Sequence, residues 1–154
     1  TLGDGLLFQR DDPLHPHASR VVFEITEQHD LTAIAAMAER IQLLRQFGYE
    51  VAIDDLGAGY SGLNYFVLLR PDLVKFDRAM VNGVHRSVTR TRLLQSMTEV
   101  CRDLGIQTIA EGVEHHEDHE TLCRIGVDMV QGYLYSPPIA DFHGPWERME
   151  LSES

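Results

Sequence analysis

Short apolar runs alternate with amphipathic stretches along most of this chain. Val21-Val22-Phe23-Glu24-Ile25-Thr26 is rich in β-branched residues and predicts a strand. From about Asp30 to Phe47, Ile34, Met37, Ala38, Ile41 and Leu44 recur at three- and four-residue spacing, which predicts a helix with Gly48 as its stop. Glu50–Ile53 predicts the next strand, followed by a glycine-rich loop over 54–62 and a short helix to about Leu69, closed by Pro71. Leu73–Phe76 predicts a strand, Val88–Leu104 a helix ending at Gly105, and Ile106–Ala110 a strand. A helix from about Glu117 to Ile125 ends at Gly126, and Val127–Val130 predicts a fifth strand. Residues 1–20, with Pro13 and Pro16, read as a loop or the remnant of an upstream element, and 139–150 as a short terminal helix.

Alternating strands and helices with mostly apolar strands predict a parallel sheet covered by helices. Five such units fit an open doubly wound sheet or part of a (β/α)8 barrel, and the pattern does not choose between them. The 154 residues suit one domain or a large part of one.

A net charge of −11 disfavours a DNA or RNA polymer as partner, but leaves room for a small phosphate ligand if metal ions lie between the negative charges. With no apolar run long enough for a membrane span and no secretory signal, the chain is expected in the cytoplasm, its parent protein free to be membrane-attached. Cys101 and Cys123 lack a CxxC spacing, fall in predicted helices, and are expected to be buried reduced thiols.

Carboxylates follow four consecutive strands: Glu24 and Glu27, Asp54 and Asp55, Asp77 beyond Lys75, and Glu111 and Glu114. Gln131-Gly132 follows the fifth. In a parallel sheet these ends share one rim, and so many acids together are costly unless a cation neutralises them. Oxygen donors without thiolate or imidazole suit Mg2+, Mn2+ or Ca2+. One acid at a strand end is commonly a helix cap, but four endings in register make a converging site the better reading. Lys75 is placed to pair with the acids or hold an attacking water. Vicinal Asp54 and Asp55 suit a two-metal site, and Gly57, Gly59 and Ser61 belong to a loop able to close over a ligand. His115 and His119 read as a solvated helix start rather than a zinc site, and Arg78, Arg86, Arg90 and Arg92 as a solvated basic face.

The ordered series Glu24-Ile-Thr-Glu27, the loop from Asp54 to Ser61, Lys75-Phe-Asp77, Glu111-Gly-Val-Glu114 and Gln131-Gly-Tyr133 resembles the signature motifs of EAL domains across about 21–138. Leu56 and Phe76 are conservative departures. The resemblance implies a partial (β/α)8 TIM-type barrel over 21–154. It also implies Mg2+- or Mn2+-dependent hydrolysis of cyclic di-GMP to pGpG in bacterial signalling, with Ca2+ inhibitory. It assigns Glu24, Asp54, Asp55 and Asp77 to metals and Glu111 and Lys75 to the attacking water. Glu27 would brace the 54–62 loop, which in such proteins links metal binding to dimerisation, and Glu114 and Gln131 would line the substrate side.

The family's Glu-x-Leu motif and its upstream Asn strand are absent, and a full barrel needs roughly 250 residues. The chain is therefore expected to be part of a longer protein with other signalling domains, weak or inactive alone, and prone to self-association or homodimerisation. A non-catalytic EAL-like module binding cyclic di-GMP or a protein, and an unrelated metal-dependent barrel enzyme, stay open as alternatives.

Overall fold

A computed structural model describes residues 14–26, 31–56, 66 and 68–137. Its strands are β1 (Val22–Thr26), β2 (Glu50–Leu56), β3 (Leu73–Phe76), β4 (Gln107–Ala110) and β5 (Met129–Val130). Its helices are α1 (Leu31–Gln46), α2 (Arg78–Val81), α3 (Val88–Asp103) and α4 (His116–Ile125).

All neighbouring strands pair in parallel, and their spatial order is β1-β2-β3-β4-β5, the order of the sequence. A doubly wound sheet reverses strand order at a switch point, whereas a barrel adds each strand beside the last. The sequential order therefore selects the barrel-type arrangement.

Side chains alternate across each strand, and the registers align those alternations. Val51, Ile53, Val74, Phe76 and Ala110 are buried in the core with Ile41 and Leu44 of α1, Leu94 of α3 and Leu122 of α4. The opposite face carries Glu24, Asp54, Lys75 and Ile109, because Glu24 pairs with Ala52 and Lys75 with Ile109. Helix burial thus fixes one face and leaves the other for chemistry.

Several expectations are corrected. β2 continues through Asp54, Asp55 and Leu56, where Leu56 pairs with Phe76 after a register shift, so any loop begins later than residue 54. β5 is shorter than 127–130 because Val127 N donates to Leu122 O at the end of α4, and Asp128 bonds across to Thr108. Within the stretch read as a loop or the remnant of an upstream element, His15–Arg20 forms a 3-10 helix. Nothing in the pattern announced α2, which Asp77 caps by accepting from Ala79 N at 2.9 Å. The terminal helix expected over 139–150 and most of the 54–62 loop lie outside the described residues. Gly126 ends α4 with φ 84°, a left-handed cap that favours glycine.

Candidate active site

β1, β2 and β3, together with the residue that follows β4, deliver four charged side chains to one point. Lys75 Nζ lies 2.8 Å from Glu24 Oε1, 3.0 Å from Asp54 Oδ1 and 2.8 Å from Glu111 Oε1. The registers explain the convergence. Asp54 stands beside Lys75, Glu24 reaches up from an earlier level, and Glu111 reaches back from beyond the strand end, with its backbone N–H donating to Phe76 O.

Lys75 is only 7% exposed. Burial by itself pushes its pKa down, but hydrogen bonds to Glu111, Glu24 and Asp54, aided by the Glu111 charge, more than offset that cost. The ammonium is held well above the ordinary lysine range and stays protonated, so Lys75 serves as a fixed cation and donor rather than a base.

Other predicted residues take different positions. Gln131 Nε2 donates to Glu111 Oε1 at 3.2 Å and orients it. Glu114 turns from the lysine to Arg78, whose guanidinium lies 2.7 Å from its Oε1. Asp77 stands outside the Lys75 contacts, with Oδ2 capping α2. Asp55 is in β2, its side chain undescribed, while Glu27, Gly57, Gly59 and Ser61 fall outside the described residues.

Beside the cluster opens a pocket of ≈ 270 Å³, lined by Arg78, Glu111, Gly112, Glu114, Gln131 and Tyr133. Sequence reasoning treated Arg78 as part of a solvated face. Its position directly after the strand-end Asp77 was the signal that it belongs to the rim. Gly112 makes room for it: at φ 67°, a Cβ there would lie 2.5 Å from Arg78 Cγ.

Two acids at the other ends of the strands are structural. Asp72 accepts from Val51 N and pairs with Arg45, and Asp128 accepts from the N–H and hydroxyl of Thr108. Cys101 is buried as expected, whereas Cys123 is exposed on α4, 3.5 Å from His119 Nε2. Among the described residues, His119 and its neighbours form no metal-ligating group of three. Nor is any described helix long and apolar enough to cross a membrane.

Three carboxylates around one ammonium leave two negative charges over, which a single divalent ion would balance. The donors are hard oxygens, the class preferred by Mg2+, Mn2+ and Ca2+. Lys75 ties those oxygens together, and among the described residues no group of three acidic, histidine or cysteine ligands is placed to hold a metal. The donor chemistry fits a metal.

Comparisons with known proteins place these features in context. The family model described as "EAL domain" matches residues 8–138. The chain is 34% identical over 119 residues to the probable cyclic di-GMP phosphodiesterase PdeG of Escherichia coli (strain K12), covering 77% of this chain and 24% of that protein. It is 34% identical over 129 residues to the cyclic di-GMP phosphodiesterase RocR of Pseudomonas aeruginosa, covering 84% and 33%. The solved structure of Klebsiella pneumoniae BlrP1 as a calcium/cyclic di-GMP complex superposes with a TM-score of 0.71 at 38% identity, covering 76% of this chain and 30% of that one. The same protein is also known as a manganese/cyclic di-GMP complex. The chain thus spans a quarter to a third of the length of these three relatives.

Proposed function

The chain belongs to the EAL domain family, and from that premise we propose that it forms part of a cytoplasmic, divalent-metal-dependent phosphodiesterase that opens cyclic di-GMP to pGpG. The observation that carries this reading is the meeting of Glu24, Asp54 and Glu111 at Lys75. Hydrolysis is proposed for the protein as a whole, since the chain spans only a minor part of its relatives' length.

Glu24 and Asp54 would hold a Mg2+ or Mn2+ ion. Asp55 joins them on the family resemblance, and Asp77 offers its Oδ1, which has no partner among the described residues. When bound, such ions cancel phosphate charge and lower the pKa of a coordinated water. Glu111, fixed by Gln131 and Lys75, accepts the proton of the attacking water. Lys75 donates a hydrogen bond that orients the water and offsets charge on the phosphate. Glu27, together with Gly57, Gly59 and Ser61, is assigned to the loop beside the metals on the resemblance alone. Glu114 and Gln131, with Arg78, face the substrate side through the adjoining pocket.

We expect the 154-residue chain alone to turn over weakly, because three converging carboxylates are few for two octahedral ions. A non-catalytic binding module is the second reading, favoured by the ammonium at the point of convergence. Incubating the intact protein with cyclic di-GMP and Mg2+, Mn2+ or Ca2+, and resolving products by chromatography, decides between them. Formation of pGpG with Mg2+ or Mn2+ and little with Ca2+ supports hydrolysis. Binding without turnover supports the module.

A further inference from the structure

Cys123 belongs to a cluster of three titratable side chains that the proposed chemistry leaves unused. His119 lies one turn earlier on the same face of α4, its Nε2 3.5 Å from the exposed Cys123 Sγ. Tyr135 completes the group from the turn after β5. Its hydroxyl hydrogen-bonds His119 Nδ1, and the two rings meet edge to face with centroids 5.8 Å apart. Burial, aided by the Cys123 charge, holds the phenol above its ordinary range, so it keeps its proton. The phenol is assigned as donor to Nδ1, which puts the proton of the neutral imidazole on Nε2, facing the sulfur.

Tyr135 also ends the turn that lines the pocket. Its backbone N–H donates to Gly132 O, Leu134 N donates to Val113 O, and Val113 N donates to Gln131 O. Gln131, Gly132 and Tyr133 face the pocket, and Gln131 orients Glu111. The Tyr135–His119 bond therefore ties this turn to α4, and an exposed sulfur stands against the tie.

We propose that Cys123 is a modification site for low-molecular-weight disulfides, and that the adduct frees the 131–135 turn from α4. The thiol gives its proton to water, and the thiolate attacks one sulfur of the small disulfide. A new S–S bond forms to Sγ while the old one breaks, and the second sulfur leaves as a thiolate. Cys123 is oxidised and the departing half is reduced. The mixed disulfide fills the space beside His119 and removes the acceptor of Nε2–H, so the ring swings away from Tyr135. As control of cyclic di-GMP binding this rests on the proposed function, whereas the coupling of thiol to turn does not.

Oxidised glutathione is the probe. The native 154-residue chain should take up one glutathionyl group, located on Cys123 by peptide mass spectrometry and released by dithiothreitol. Amide hydrogen exchange at Leu134 and Tyr135 should then quicken about threefold to tenfold, the weight of one lost hydrogen bond, while β2 and β3 keep their rates. Tyr135→Phe, which lacks the tie from the start, should be modified yet show no further quickening. Cys123→Ser should not respond. In the intact protein, modification should weaken cyclic di-GMP binding by a similar factor, reversibly, and Cys123→Ser should abolish the effect. An untreated intact protein that binds no cyclic di-GMP would sink the proposed function, and the exchange rates would still judge the coupling. No adduct on Cys123 overturns the proposal. So do unchanged rates at Leu134 and Tyr135, a rise spread over β2 and β3, or an equal rise in Tyr135→Phe.

Discussion

Lys75 Nζ donates to Glu111 Oε1 at 2.8 Å, joining a strand interior to the residue just past the next strand. That pairing, repeated with Glu24 and Asp54, makes the lysine the shared counter-ion of these three carboxylates. Lys75→Met would leave three carboxylates facing one another. We expect a loss of about 1–3 kcal/mol in EDTA, because a partner of a buried ion pair has been removed while its acids stay partly hydrated. Urea unfolding with and without Mg2+ checks it: the ion should recover part of the loss, and no recovery would count against a cation site.

Glu111→Gln keeps the shape and removes the proposed base. In the intact protein, cyclic di-GMP hydrolysis should fall about 10²–10⁴-fold while binding changes little. Undiminished turnover would remove Glu111 from the chemistry.

Asp118, 1% exposed, accepts from the backbone N–H groups of Gly83 and His85 and contacts His85 Nδ1 at 2.6 Å. Burial raises its pKa, but these bonds outweigh it and hold the carboxyl below the usual range. Its stabilising contribution is therefore complete above the ordinary aspartate pKa and drains away as pH falls through the depressed value. Asp118→Ala should cost about 2–4 kcal/mol near neutrality by orphaning buried donors, and thermal melts from pH 7 to 3 should show a flatter acid limb than the parent chain.

Gly112 and Gly105 have similar φ values, 67° and 73°, yet an added Cβ meets Arg78 at the first and open space at the second. Each alanine variant should lose about 1 kcal/mol for the left-handed backbone. Gly112→Ala should lose more and weaken ligand binding by displacing Arg78 from Glu114. Equal losses in chemical denaturation would deny the steric part.

The thiols should separate by reactivity. Burial and the nearby Asp128 charge push Cys101 up to about 11, while Cys123 is exposed. At pH 8 a thiol reagent should modify Cys123 quickly and Cys101 only after unfolding. Two fast equivalents in the native state would contradict the packing around α3.

The alternation of apolar and polar positions determined that β1, α1, β2, β3, α3, β4 and α4 exist and roughly where they end. Such periodicity is local: a residue's face follows from its neighbours two, three or four positions away. The same alternation placed Glu24, Asp54, Lys75 and Glu111 at strand ends on one rim. Tertiary structure decided which of them meet. Glu24 and Lys75 are 51 positions apart, and their contact depends on two strand registers that no local pattern encodes. The same long-range geometry sent Asp77 to a helix cap, Glu114 to Arg78 and Cys123 to the surface. It also chose a barrel-type strand order over a doubly wound sheet, because strand order is set by how neighbouring helices pack, and every candidate order buries the same apolar faces.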